Sequence, residues 1–162
     1  MVLEALIRKM IAYDKGDAVR IQHFLKVHEF ARTIAVLEGV SDEKRFILEA
    51  AAIVHDIGIH LCEEKYGNCN GKLQEKEGPA LAEAMLRELG FAQAVISRVS
   101  FLVGHHHTYT NIDDIDYQIL IEADFLVNLF EDSISAEQIK ITRERIFKTK
   151  TGTAICTEMF DL

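Results

Sequence analysis

The chain has 162 residues, 49% of them apolar, which is enough for one sizeable core and too apolar for a disordered tail. Its 18 Lys and Arg against 26 Asp and Glu leave a net charge of −8. That balance argues against gripping polymeric nucleic acid, which needs a basic surface. It leaves room for a small phosphate ester held at a metal, because the ion brings its own positive charge.

No apolar run approaches the roughly 18 residues of a membrane span. Arg8, Lys9, Asp14 and Lys15 interrupt the N-terminal apolar residues, so no secretory core forms there. The expectation is a cytoplasmic protein without a membrane partner. Cys62, Cys69 and Cys156 make neither a disulfide framework nor a zinc knuckle and read as reduced thiols.

In chain order, residues 2 to about 13 read as an amphipathic helix through Leu3, Leu6, Ile7, Met10 and Ile11. Gly16 and Asp17 mark its stop and the next N-cap. The second helix runs from about Asp17 to Leu37. Ile21, Phe24, Leu25, His28, Ala31 and Ala35 share one of its faces, which points His28 inward. His23 lies with Val27, Phe30 and Ile34, so it too is a candidate for burial. Ser41 caps a third helix, about 42 to 57. The polar stretch Glu63 to Gly78 has little periodicity and reads as a surface loop, either a lid or an ordinary connector.

Pro79 and Gly90 bracket a helix from Pro79 to Leu89. Another runs from Phe91 to about His106, ending in Gly104-His105-His106-His107, and a third from about Asp114 to Phe130. In that last helix Asp124 and Asn128 face the same way, while Glu122 lies elsewhere and reads as solvated. Ser135 and Gln138 form a capping box for a helix of about 136 to 147. Lys148 to Phe160 reads as a short hairpin around Thr151-Gly152. The expected fold is an all-α, single-domain helical bundle over 1–162, with a core of about 17–130 and a C-terminal extension of about 131–162.

The stretch with chemistry in it is Ala50-Ala51-Ala52-Ile53-Val54-His55-Asp56-Ile57-Gly58. A helix apolar on nearly every side must be buried. An aspartate at its end meets the negative pole of the helix dipole. Burial there without a partner costs several kcal/mol, on the order of an uncompensated charge. Two readings meet that need: a satisfied core pair, or a divalent metal held by His55 and Asp56. Inward His28 and Asp124 lie on other helices, and bundles build metal sites in their cores. Two imidazoles and two carboxylates form a mixed N/O set that suits Mn, Fe, Co, Ni or Mg better than a closed thiolate zinc site.

This series resembles the HD-domain superfamily of metal-dependent phosphohydrolases. The matching text is Val27-His28-Glu29-Phe30-Ala31-Arg32-Thr33-Ile34-Ala35, then Ala50 to Gly58, then Leu120-Ile121-Glu122-Ala123-Asp124. The resemblance implies one metal held by His28, His55, Asp56 and Asp124, with Asp56 also orienting the attacking water. It implies second-metal ligands at His105 and His106. No histidine stands before Ala80 where binuclear members have one, and Glu77 or Glu75 takes that place. One or two ions are therefore expected. In the mononuclear case His105 or His106 contacts phosphate or protonates the leaving group. The alternative for the run is an exposed helix end favoured by the dipole. His107 has a weaker case.

Lys72, after Gly71 on the expected loop, and Tyr109, as a stacking ring, are the candidate substrate contacts. The expected substrate is a small phosphomonoester or phosphodiester, nucleotide-like, with no polymeric nucleic acid. A non-enzymatic metal-stabilised ligand-sensing module and a di-iron oxygenase on the same scaffold are the alternatives. The apolar N-terminal helix packs on its own domain or on a second copy in a homo-oligomer.

Overall fold

The computed structural model describes residues 2–162 and holds nine helices and no strand among them. They are α1 (Val2–Tyr13), α2 (Ala18–Leu37), α3 (Asp42–Val54), α4 (Ile59–Tyr66), α5 (Gly71–Glu88), α6 (Gln93–Val103), α7 (Ile115–Glu131), α8 (Ala136–Ile146) and α9 (Lys150–Phe160). The all-α expectation holds. Among the described residues, no helix is long and apolar enough to cross a membrane.

The middle of the bundle is α3. It packs against α1, α2, α6 and α7. Ala50, Ala51, Ala52, Ile53 and Val54 are all fully buried, because small side chains let neighbouring helices approach α3 from several directions. Opposite it, α7 is buried almost all round through Ile119, Leu120, Ala123 and Leu126. Each capping oxygen marked in the sequence is in use: Asp17 accepts from Arg20 N, Ser41 from Lys44 N and Ser135 from Gln138 N.

Two stretches differ from expectation. The polar segment 63–78 is mostly helical rather than a loop. Gly67 does end a helix, in the left-handed conformation at φ 70°, but that helix is α4. Asn70 then starts α5 by accepting from Leu73 N, so Gly71 and Lys72 lie in the first turn of a helix. Pro79 sits inside α5 instead of opening it. Packing outweighs local preference here: a Cβ on Gly58 would stand 3.0 Å from Gly78 N, so the turn after α3 rests on the backbone of α5. Polar composition misled because this helix is only partly covered.

The second difference is the C-terminus, where α9 replaces the hairpin. Thr149 is its N-cap, its Oγ1 accepting from Gly152 N at 2.9 Å. Glu122 is the anchor and is fully buried, not solvated. Its Oε1 accepts from Gln118 Nε2 (2.7 Å), Lys148 N (2.7 Å) and Thr149 N (2.9 Å), and its Oε2 from Thr149 Oγ1 (2.5 Å). A Cβ on Gly152 would overlap Glu122 Oε2, so only glycine fits that position of α9.

Candidate metal centre

Five elements converge on one polar cluster inside this core. His55 caps the C-terminus of α3, Asp56 follows in the turn to α4, Asp124 projects from the middle of α7, and His23 from α2. His106 and His107 stand in the turn after α6. His23 Nε2 lies 3.3 Å from His55 Nε2, 3.4 Å from Asp56 Oδ2 and 3.2 Å from Asp124 Oδ1. His55 Nε2 lies 3.5 Å from Asp56 Oδ2 and 3.4 Å from Asp124 Oδ1. Ligand atoms around an ion at bond lengths of about 2.1 Å are spaced by roughly 3.0–3.4 Å. The five separations, 3.2–3.5 Å, are close to that spacing.

The hydrogen bonds at the rear of each ring fix which nitrogen faces the cluster. His55 Nδ1 donates to Ala52 O at 2.8 Å, and His106 Nδ1 to Val103 O at 2.9 Å. His23 Nδ1 donates to Glu131 Oε2 at 2.8 Å, and Lys26 Nζ holds the other oxygen of Glu131 at 2.6 Å. Each Nδ1 therefore carries a proton, and each Nε2 turns a lone pair inward when the ring is neutral. Carboxylates and carbonyls behind ligating imidazoles are the usual support of a metal site. Buried His106 Nε2 has no hydrogen-bond partner among the described residues and stands 3.4 Å from Asp56 Oδ1. Lone pairs and carboxylates facing one another in a buried space call for a cation, and the donor set fits a divalent metal.

The protonation states carry the same message. Burial presses His55 towards neutrality, but Asp56 and Asp124 outweigh it and raise the imidazole to about 9. Burial likewise opposes ionisation of Asp56, yet His55 and then His106 hold it below the usual carboxylate range. Asp124 is held down in the same way by His23 and His55. Without an ion, protons on the imidazoles supply the positive charge that the carboxylates require.

Asp56 belongs to two candidate groups. One is His23, His55 and Asp56, with Asp124 alongside; the other is Asp56, His106 and His107. His107 is held by α5: its Nε2 lies 3.0 Å from Gln74 Oε1, and its backbone N–H donates to Glu75 Oε1 at 3.0 Å. Burial, then neighbouring His106, pushes the His107 imidazole down to about 4, so it is neutral at neutral pH. Gly71 is needed here, since a Cβ there would stand 2.7 Å from His107 Cγ.

The structure brings together His55, Asp56, Asp124 and His106 of the residues expected from sequence. His28 is not among them. It is half-buried and pairs with Glu49 Oε2 at 2.9 Å, while His23 takes the place expected for it. Five residues along a helix is about 140° around its axis, so the two histidines cannot share a target. The buried stripe of α2 runs through Phe24, Val27, Ala31, Ile34 and Ala35 with His23 on its edge, and that His23–Val27–Ile34 set was visible in the sequence.

His105 is outside as well. Its ring stacks on Phe101 with centroids 4.1 Å apart and its Nδ1 donates to Phe101 O at 2.7 Å. The turn after α6 rotates the run so that His106 and His107 face Asp56. Glu77 is bound to Tyr66 Oη (2.7 Å) and Lys65 Nζ (2.9 Å) on the outside of α5, away from the cluster. Lys72 and Tyr109 line the opening beside His107, together with Glu75 and Thr108.

A family model described as the HD domain matches residues 20–146, a span that contains His23, His55, Asp56, His106, His107 and Asp124. Among solved structures, the chain is similar to the crystal structure of a predicted HD superfamily hydrolase from an uncultured Thermotogales bacterium. The two share 25% identity with a TM-score of 0.66, over 99% of this chain and 83% of that one. No curated protein matches the chain. With its histidine-aspartate pair set at the end of a buried helix, opposite an aspartate on α7, the chain belongs to the HD-domain family.

Proposed function

We propose that the chain is a metal-dependent phosphohydrolase, acting in the cytoplasm on a small, nucleotide-like phosphomonoester or phosphodiester. The observation that carries this reading is the placement of Asp56. One of its oxygens faces His23 and His55, and the other faces His106. A carboxylate placed between two imidazole clusters suits two ions rather than one. The imidazole-rich donor set favours Mn, Fe, Co or Ni over Mg, which prefers an all-oxygen shell.

A divalent ion bound there supplies a Lewis acid for a phosphoryl oxygen and lowers the pKa of a coordinated water. The chain's own residues do the rest. Glu131, Ala52 O and Val103 O hold the three Nδ1 protons and so fix the rings. Gln74 and Glu75 hold His107 at the edge of the cluster. Lys72 stands beside His107 at the opening, where its ammonium offsets phosphate charge in an otherwise acidic chain. The name of the Thermotogales relative supports a hydrolase.

The test is elemental analysis of protein purified without chelator or affinity nickel, beside Asp56→Ala and Asp124→Ala, each checked for folding by circular dichroism. The expected result is about two equivalents in the wild type and loss from both variants, as removal of a ligand from an N/O site predicts. A phosphate-release screen with the native metal should then find an ester that is cleaved. One equivalent would make the centre mononuclear. A wild type that neither retains nor takes up Mn, Fe, Co, Ni or Mg would end the hydrolase reading and leave a buried polar network.

A further inference from the structure

We infer that the cleft between α7 and α8 is the subsite for the base of a nucleoside phosphate, with Tyr109 and Phe125 as its stacking wall and Arg145 as the donor that selects the base. The inference rests on the hydrolase reading for what happens to the phosphate, and on the cleft itself for what else is held. This cleft has a volume of about 570 Å³ and is lined by Tyr109, Phe125, Gln138, Thr142 and Arg145, among others. That lies within the 300–1,000 Å³ usual for small-molecule sites.

The cleft is joined to the metal centre by two residues. Tyr109 is a wall of this cleft and also of the one that contains Lys72 and His107, with its hydroxyl 3.5 Å from His107 Nδ1. Phe125 follows Asp124 directly on α7, so the same turn of helix serves both places. A phosphate ester with its phosphate at His107 and Lys72 therefore has its remaining part directed along Tyr109.

The lining says what that part is. The rings of Tyr109 and Phe125 meet edge to face with centroids 5.1 Å apart, and Tyr109 remains 42% exposed. An open aromatic ring beside a cleft favours a planar partner over an aliphatic sugar, and every nucleobase offers a π face. The opposite wall carries groups that hydrogen-bond: the Gln138 amide, the Thr142 hydroxyl and the Arg145 guanidinium. Neither Arg145 nor Lys72 makes a hydrogen bond or ion pair among the described residues, in a chain with eight more acids than bases. Two unengaged cations, one in each of two clefts joined at Tyr109, suit a ligand with phosphate at one end and acceptor atoms at the other. Arginine's fork of donors matches base-edge acceptors.

Two measurements test this on the wild type and on Tyr109→Ala and Arg145→Ala, both at exposed positions. The first is calorimetric binding of adenosine, which has no phosphate and so reads the cleft independently of the centre's chemistry. Binding should be detectable and about tenfold weaker in each variant, as loss of one stacking contact or one charge-assisted hydrogen bond predicts. The second is the ratio of kcat/KM for adenosine 5′-monophosphate to that for glycerol 3-phosphate. It should favour the nucleotide and fall about tenfold in Tyr109→Ala. If adenosine does not bind, or binds the variants as well as the wild type, the subsite is overturned. If both esters are cleaved equally by all three proteins, the subsite fails while the hydrolase reading stands. If adenosine binding depends on Tyr109 but metal-loaded protein cleaves neither these esters nor any monoester or diester of the phosphate-release screen, the subsite stands and the hydrolase reading fails.

Discussion

Glu122 and Asp124 lie two residues apart on α7, and both are buried, at 0% and 4% exposure. Their surroundings are opposite. Glu122 accepts four hydrogen bonds from an amide, a hydroxyl and two backbone N–H groups, all supplied by the chain. Asp124 receives one such bond, from Asn128 Nδ2 at 2.9 Å, and otherwise faces the Nε2 atoms of His23 and His55. Those rings already donate their Nδ1 protons elsewhere. Burial of a carboxylate thus does not mark a site. What marks it is a shortage of proton donors, which a cation makes good.

The strongest way to sharpen this contrast is Glu122→Ala. It leaves two backbone N–H groups and the Thr149 hydroxyl without their acceptor and frees the start of α9. We expect a loss of about 3–5 kcal/mol, the size seen when one partner of a buried polar network is removed. Urea denaturation would measure it. Metal content per folded molecule should not change. Loss of metal from this variant without loss of stability would reverse the roles assigned to the two carboxylates.

The next effect is on pH dependence. The imidazole of His55 is raised to about 9 in the folded, metal-free chain, against about 6.5 when unfolded. A raised pKa contributes stability that is fully present below pH 6.5 and is lost as pH rises through 9. At about 1.36 kcal/mol per unit the loss is on the order of 3 kcal/mol. Chelator-treated protein should therefore melt at a lower temperature at pH 9 than at pH 6.5. Metal-loaded protein should not show this fall, because ligation requires the neutral ring, and loading near neutral pH should release protons. Equal pH dependence with and without metal would show that no ion binds at His55.

Much of this contrast was legible in the sequence, and the misses have physical causes. The pair His55-Asp56 stood out because a wholly apolar helix cannot carry it without a purpose. Asp124 stood out for the same reason. Glu122 reads as solvated in the sequence because its donors include the backbone of residues 148 and 149, more than two dozen positions away, and backbone donors leave no mark in composition. The polar segment 63–78 hides α4 and the part of α5 before Pro79, because Asn70 is a weak signal among many polar neighbours. His105 and His106 were separable only through the turn after α6, whose rotation no helical periodicity describes. Glu131 carries no signal in the sequence: it is an ordinary acid at a helix end until α2 is laid against α7.

Glu131 provides a smaller test of the centre. Glu131→Gln keeps the size of the side chain but weakens the grip on His23 Nδ1. Partners of this kind behind a ligand are worth roughly 10–100-fold in metal affinity. Metal titration of chelator-treated protein should show a loss in that range with little change in metal-free stability. An unchanged affinity would remove His23 from the ligand set.

The smallest expected effect separates the two histidines of α2. His28 serves Glu49, a third buried carboxylate, which also has Arg45 Nε 3.4 Å from its other oxygen. Like Glu122, Glu49 has its donors supplied by the chain, so His28 belongs to the structural side of the comparison. His28→Ala should cost about 1 kcal/mol, one hydrogen bond at a half-buried position, and leave metal content as in the wild type. His23→Ala should lose the metal. Elemental analysis of this pair decides between them, since both substitutions remove the same ring from the same helix and differ only in which carboxylates that ring faces. The opposite result, metal kept without His23 and lost without His28, would require α2 to turn by about 140° about its axis. That rotation would carry Phe24, Val27, Ala31 and Ile34 out of the core, so the packing of α2 itself stands behind the assignment of His23.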